Sequence, residues 1–417
     1  MGGEVMKQFS ETSVSTRDAI TLRRSASFTI GALLLVLVLP TDAALGKGKP
    51  PPPTPPPSPD IVYTSYGSNA PSSPAIRGVT LASDGLSGTD AQLAKAKANR
   101  DSGSIVWSPD GTRYAWVEGA WQQTRSIMVA APGQAPTVVY SAAYGSTDPY
   151  PSDGADVLDW GVSCAGTSVL VFSANGLPPS PAGIWAIYDP ELTGAGQIPQ
   201  VLSNIENASG LALSPTGQHL AFRYWSTNER VLMLPMCSID KTPVVLVEKA
   251  AIGAADDPCI DPSLPRSPSN TCNPDSAIVS IDWSRHGDRL ALSVVVGPDP
   301  NYPWRDLKIA YLDYGLSAGG VETVAARASN PVFTVNLDND SRFGAASSEH
   351  SPRWGPSELG AVCQRIAFSQ SAGASDGSTT TGRNLYLLDV NANGIGSCQV
   401  NTPRLLSSKT PRALDWK

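Results

Sequence analysis

The sequence predicts an all-β chain: a six-bladed β-propeller of four-stranded antiparallel blades, closed by strands from both termini. Three observations predict it. A turn-and-anchor unit recurs along the chain. The gaps between its copies each hold one blade. The two ends supply complementary parts of one further unit.

The clearest unit is Trp107-Ser108-Pro109-Asp110-Gly111, followed by Tyr114-Ala115-Trp116. Leu213-Ser214-Pro215-Thr216-Gly217 leads to Leu220-Ala221-Phe222, and Trp283-Ser284-Arg285-His286-Gly287 leads to Leu290-Ala291-Leu292. Trp354-Gly355-Pro356 leads through a longer turn to Ile366-Ala367-Phe368. Trp160-Gly161 leads, by a turn without Pro, to Leu170-Val171-Phe172, and Trp416 stands one residue from the end. The spacings between anchors are 53, 53, 70, 71 and 62 residues. A four-stranded blade takes roughly 40–45 residues, so each unit is one blade plus loop insertions.

The anchor ends a short strand. In Ser-Pro-Asp-Gly, Pro presets φ, Asp tolerates the bend and Gly takes the left-handed position. The apolar triplet that follows is the returning strand, so each unit opens with a β-hairpin. Two more strands follow in every unit: Ser126–Ala130 and Thr137–Ser141, Ile184–Tyr188 and Gln200–Ser203, Val231–Leu234 and Val244–Glu248, Leu307–Leu312 and Glu322–Ala325, Leu385–Val390 and Arg404–Leu406. No convincing amphipathic helix lies between them.

At the ends, Leu414-Asp415-Trp416 is an inner strand with nothing after it, and Ile61-Val62-Tyr63-Thr64 is a returning strand with nothing before it. Arg77–Ala82 and a segment near Gln92–Ala96 complete the blade. A ring closed this way leaves no open edge at the seam.

The Trp-Ser-Pro-Asp-Gly-x-x-Φ-Ala-Φ repeat resembles the repeats of the TolB propeller family. The resemblance covers about residues 61–417; it is strong in the first unit, good in the third and fourth, and degenerate in the second and fifth. It implies the six-bladed fold and says little about function, since related propellers bind proteins, bind sugars, cap peptidases or carry lyase sites. Nothing at the amino end resembles the small α/β domain that precedes the propeller in TolB proteins.

The chain has 417 residues, of which 37 are Gly, 37 are Pro and only 16% are charged, as suits a loop-rich all-β protein. A net charge of −7 argues against nucleic acid and anionic membrane surfaces as partners. Arg23-Arg24 precede an apolar run from Phe28 to Leu39, then Pro40-Thr41-Asp42-Ala43-Ala44. About twelve apolar residues suit a signal peptide, expected over 1–44, and fall short of a membrane span of about twenty. Residues 45–60 form a Pro-rich linker, a polyproline stalk or an unstructured spacer. The expected location is the periplasm or the extracellular space. Cys164, Cys237, Cys259, Cys272, Cys363 and Cys398, an even count, fit export and disulfides. Topology suggests the pairs 259–272, 363–398 and 164–237; the sequence alone leaves the pairing open.

The search for chemistry yields no catalytic set, no metal site and no cofactor. The Gly-x-Ser-x-Gly pattern at residues 315–319 and 373–377 has no helix after it and so makes no nucleophile elbow, and three histidines are thin material for a lyase metal site. His286 and His219 read as solvated turn and strand residues. His350, before Ser351-Pro352-Arg353-Trp354, lies on the connection into an inner strand, facing the central mouth. Asp389-Val390-Asn391-Ala392-Asn393-Gly394 resembles the start of a calcium loop, but position twelve is Val400 rather than Glu.

The connections between second and third strands, and from outer to inner strands, share one face. They are long and carry Trp121, Trp225, Tyr302 and Trp304, with Asp148, Asp153, Asp156, Asp256, Asp257 and Asp338. Aromatic anchors in a polar rim suit an interface. The candidate partner-binding residues are therefore Trp121, Trp225, Tyr302, Trp304, His350 and Arg353. The expected function is a non-catalytic, monomeric propeller that binds a protein or cell-envelope partner. The alternative is a polysaccharide lyase or hydrolase working at the central mouth.

Overall fold

The Ser-x-x-Gly turns form as their chemistry dictates. The carbonyl of Ser108 accepts from the N–H of Gly111 at 2.8 Å, and Ser214 with Gly217 and Ser284 with Gly287 repeat the bond at 2.8 and 2.9 Å. The serine hydroxyls accept a second amide, from Arg113, His219 and Arg289, at 2.9–3.1 Å. The unit without Pro makes the same turn: Ser163 accepts from Gly166 at 2.9 Å. Its hairpin is two residues longer on each side.

A computed structural model gives the structure of the chain and describes residues 58–65, 75–95, 101–119, 124–143, 158–174, 182–190, 198–206, 208–224, 230–248, 278–295, 305–327, 332–335, 348–356, 363–371, 384–390, 398, 403–409 and 411–417. All belong to one unit, Thr54–Lys417. The expected signal peptide and nearly all of the linker lie outside the described residues, among which no helix is long and apolar enough to cross a membrane.

The strands run β1 (Ile61–Ser65), β2 (Ala75–Leu81) and β3 (Gly88–Lys95) in blade 6; β4 (Asp101–Trp107), β5 (Tyr114–Gly119), β6 (Arg125–Ala130) and β7 (Thr137–Ala142) in blade 1; and β8 (Leu158–Val162), β9 (Ser168–Ala174), β10 (Gly183–Tyr188) and β11 (Gln200–Ser203) in blade 2. Blade 3 holds β12 (Ala208–Leu213), β13 (His219–Tyr224), β14 (Arg230–Pro235) and β15 (Val244–Val247). Blade 4 holds β16 (Ile278–Trp283), β17 (Arg289–Val295), β18 (Arg305–Leu316), β19 (Glu322–Ala326) and β20 (Val332–Val335). Blade 5 holds β21 (Ser348–Trp354), β22 (Gln364–Ser371), β23 (Asn384–Val390) and β24 (Arg404–Ser407), and β25 (Pro411–Trp416) completes blade 6. The last strand pairs antiparallel with the first, Ile61 opposite Trp416 and Tyr63 opposite Leu414. This is the expected propeller with the expected closure.

Blade 4 departs from expectation. β18 continues to Leu316 and carries two outer partners: β20 on Leu307–Ala310 and β19 on Leu312–Leu316. Residues 332–335, read as loop in the sequence, form a strand, and Val335 is buried in the seam between blades 4 and 5.

Six apolar clusters fill the six seams, because alternate residues of a strand face opposite neighbours. This explains the Ala of Φ-Ala-Φ. Ala115 shares a cluster with Trp160, Ala221 with Trp283, Ala291 with Trp354 and Ala367 with Trp416. The small residue of one blade faces the seam filled by the next blade's anchor. Where the next anchor is Leu213, the facing residue is the larger Val171.

Candidate functional site

One residue before each anchor the inner strands carry Val106, Asp159, Ala212, Asp282, Arg353 and Asp415; Val106 and Ala212 pack into the seams, and the three Asp line the axial cavity. Carboxylates stand on blades 2, 4 and 6. An inner strand has a free edge toward the axis, and its amides need acceptors. Each Asp supplies one to the following blade. Asp159 Oδ2 accepts from the N–H of Leu213 at 2.5 Å, Asp282 Oδ2 from Trp354 at 2.6 Å and Asp415 Oδ2 from Trp107 at 2.6 Å. Asp159 Oδ1 also accepts from Trp160 at 2.8 Å.

The receiving blades have their own signature. Three residues before their anchors stand Ser104, Gly210 and Ser351, with φ of +24°, +58° and +46°. Pairing slips at each of these points. Such a bulge bends the strand and re-aims the residues that follow. Blade 4 also slips, between Ile278 and Ser280, without a left-handed residue.

Arg353 is the cation among these carboxylates. It is 3% exposed, and its Nε lies 3.5 Å from Asp415 Oδ1. On the anchor-hairpin side the axis opens into a cavity of about 330 Å³, lined by the anchors, the three Asp, Arg285 and Lys417. Arg285 Nη2 donates to the Trp416 carbonyl at 3.0 Å. Lys417 Nζ sits 4.7 Å from the Trp107 ring centroid and donates to Ser58 Oγ at 2.6 Å.

Protein surrounds the carboxyls even where they open on this cavity. Desolvation therefore pushes Asp159 up to about 7 against the lowering effect of its amide from Leu213. Desolvation likewise lifts Asp282 to about 7 against the attraction of Arg353, and it raises Asp415. A carboxyl raised in the folded state stabilises below its unfolded pKa, and that contribution is lost as pH climbs through the folded value. The midpoint of thermal unfolding is thus expected to fall between pH 5 and pH 8. Asp282→Asn keeps an acceptor for Trp354 and removes the charge, so it should flatten that fall; an unchanged slope would exclude Asp282 as its source.

Of the residues singled out in the sequence, Trp121, Trp225, Tyr302 and Trp304 lie outside the described residues, as do the six loop aspartates. His350 is on β21 opposite Ser369, with only its backbone described. Arg353 belongs to the buried axis rather than to a loop. Cys164–Cys237 joins blades 2 and 3, and Cys363–Cys398 closes within blade 5, with Cα–Cα distances of 5.5 and 5.7 Å; Cys259 and Cys272 are outside the described residues. Asp389 is held by Arg365, Nε to Oδ1 at 2.6 Å and Nη2 to Oδ2 at 3.2 Å. The first ligand of the suggested calcium loop is thus already engaged, and residues 391–394 are not described. His219 corrects its expectation: its side chain is 14% exposed and its Nδ1 lies 2.7 Å from the buried Glu322.

The axial carboxylates and Glu322 were missed in the sequence. The carboxylates do have a signal, a recurring Φ-Asp-Trp: Leu158-Asp159-Trp160, Ile281-Asp282-Trp283 and Leu414-Asp415-Trp416.

No model of a known protein family and no curated protein matches the chain. Among solved structures it is similar to TolB from Acinetobacter baumannii, with 14% identity, 85% of this chain and 66% of that chain covered, and a TM-score of 0.47. It is also similar to the GH74 enzyme of Niastella koreensis, with 11% identity, 84% and 46% coverage, and a TM-score of 0.40. A third is the periplasmic gluconolactonase PpgL of Pseudomonas aeruginosa, with 12% identity, 84% and 99% coverage, and a TM-score of 0.34. The chain spans less than two thirds of the length of the first two. Identities this low speak to no shared activity; what the chain shows by itself is the six-bladed ring.

Proposed function

We propose that this chain is an exported, non-catalytic propeller that binds a protein or cell-envelope partner through the loop face opposite its anchor hairpins. One observation carries the reading: the ionisable groups at the axis are engaged in closing the ring. Each carboxylate holds a neighbouring blade's amide, and the guanidinium lies against the Asp415 carboxylate. Such a ring is a rigid frame on which loops can recognise a partner. The two disulfides fit an oxidising compartment, and residues 1–44 and 45–60 would act as export signal and spacer. The lyase alternative needs carboxylates converging with His350. The axial ones belong to a position three residues further along the inner strands.

The test is crosslinking in the native cell, followed by recovery of the partner with wild type and with Trp121→Ala plus Trp304→Ala. Truncating buried aromatic anchors weakens an interface by about 2–4 kcal/mol each, enough to lose recovery. Undiminished recovery by the double variant would remove the aromatic face from the account.

A further inference from the structure

We propose that the β18–β19 hairpin is an acid-released clasp across the seam between blades 3 and 4. β18 pairs with β17 from Arg305 to Tyr311, and the Leu312 N–H donates to the Asp288 carbonyl at 2.8 Å; Leu312–Leu316 pair with β19, and beyond Leu312 the arm leaves β17 behind. The turn between them repeats the anchor turn, Ser317 accepting from Gly320 at 2.9 Å. This arm folds back over the anchor hairpins of two blades. The Tyr314 ring packs on Gly287 of blade 4, so closely that a Cβ there would lie 2.2 Å from it. Glu322 reaches blade 3, where its Oε2 accepts from Ser214 Oγ at 2.6 Å and meets His219 Nδ1 at 2.7 Å. Gln218 closes the contact, its Oε1 accepting from the Glu322 N–H at 3.1 Å and its Nε2 donating to the Gly320 carbonyl at 2.5 Å.

Two facts make the arm separable. β20 occupies the ring half of β18, so blade 4 keeps four strands, β16, β17, β18 and β20, when the arm leaves. The tip is little buried, with Leu316 54% and Val321 59% exposed.

The clasp turns on one carboxyl. The Glu322 side chain is fully buried, and the titratable groups facing it are His219 from β13 and Tyr314 from β18, alongside the hydroxyls of Ser214 and Thr216. Burial pushes its pKa up, but the hydrogen bonds from His219 and Ser214, then Tyr314 and Thr216, outweigh burial and hold it below the usual range. A depressed carboxyl stabilises above its unfolded pKa, and that stability is lost as pH falls through the folded value. Once Glu322 is protonated, its Oε2 no longer offers Ser214 Oγ a charged acceptor. The bond across the seam then reverts to a neutral hydrogen bond, which is roughly half as strong.

Hydrogen exchange of the full chain tests this at pH 7 and pH 3, with rates corrected for intrinsic chemistry. Peptides spanning 312–326 should exchange about 10- to 100-fold faster at pH 3, as expected when a hydrogen bond to a charged group is lost. Peptides of β5 and β9 should hold their protection. Glu322→Gln should exchange faster in the arm already at pH 7 and show no further change in acid. An arm equally protected at both pH values overturns the clasp. So does an acid response that survives in Glu322→Gln, or one in which β5 and β9 open together with the arm.

Discussion

Arg353→Met is expected to destabilise the propeller by about 3–5 kcal/mol at pH 8, the usual result of removing one member of a buried charge set. The guanidinium is the cation buried at the axis beside Asp415, and it also lowers the pKa of Asp159 and Asp282. Met fills similar volume, so the loss is of charge rather than packing. At pH 5 the orphaned carboxyls escape by taking up protons, and the penalty should shrink. Urea unfolding midpoints of both proteins at the two pH values check this. Equal losses at pH 5 and pH 8 would mean that Arg353 acts by packing alone.

Gly217→Ala should lower stability by about 2–4 kcal/mol, combining a left-handed residue given a side chain with a backbone clash. Gly217 has φ of +70°, and an added Cβ would stand 1.5 Å from the Val162 carbonyl oxygen of blade 2. Both sides of that contact are main chain. They lie beside the Cys164–Cys237 bridge, where Cys164 Sγ is 3.8 Å from the Gly217 carbonyl. Neither side can retreat without parting the two blades. Gly133 is the control: its φ is +77° with nothing within 4 Å of an added Cβ. Gly133→Ala should cost only about 1 kcal/mol. If the two variants unfold at the same denaturant concentration, the clash contributes nothing.

The ring was legible in the sequence because its information is local. Ser-Pro-Asp-Gly fixes a turn within five residues, and the Ser hydroxyl that accepts the fifth amide belongs to the same unit. The split blade was legible because the two ends carry complementary halves of one pattern. The axis was legible only by half: Φ-Asp-Trp recurs in the sequence, but each Asp binds a backbone N–H, and no residue type marks that partner. Arg353 reads in the sequence as a partner-binding candidate beside His350, and only the fold shows that it stands where other blades carry Asp, Val or Ala. His219 looked solvated because what buries it, Glu322, comes 103 residues later. β18 was ended at Leu312 because a blade needs no more. Its onward run to Leu316 answers to another blade.

The axial bonds give the ring a parity. Blades 2, 4 and 6 donate a carboxylate forward, and blades 3, 5 and 1 receive it on an amide released by a bulge. Two kinds of blade that must alternate fit only an even number around a circle. Removing or inserting a single blade would set two givers or two takers side by side, leaving a carboxylate or an amide unmatched at the centre. At its axis this ring therefore repeats by the pair of blades, although its turns repeat by the single blade.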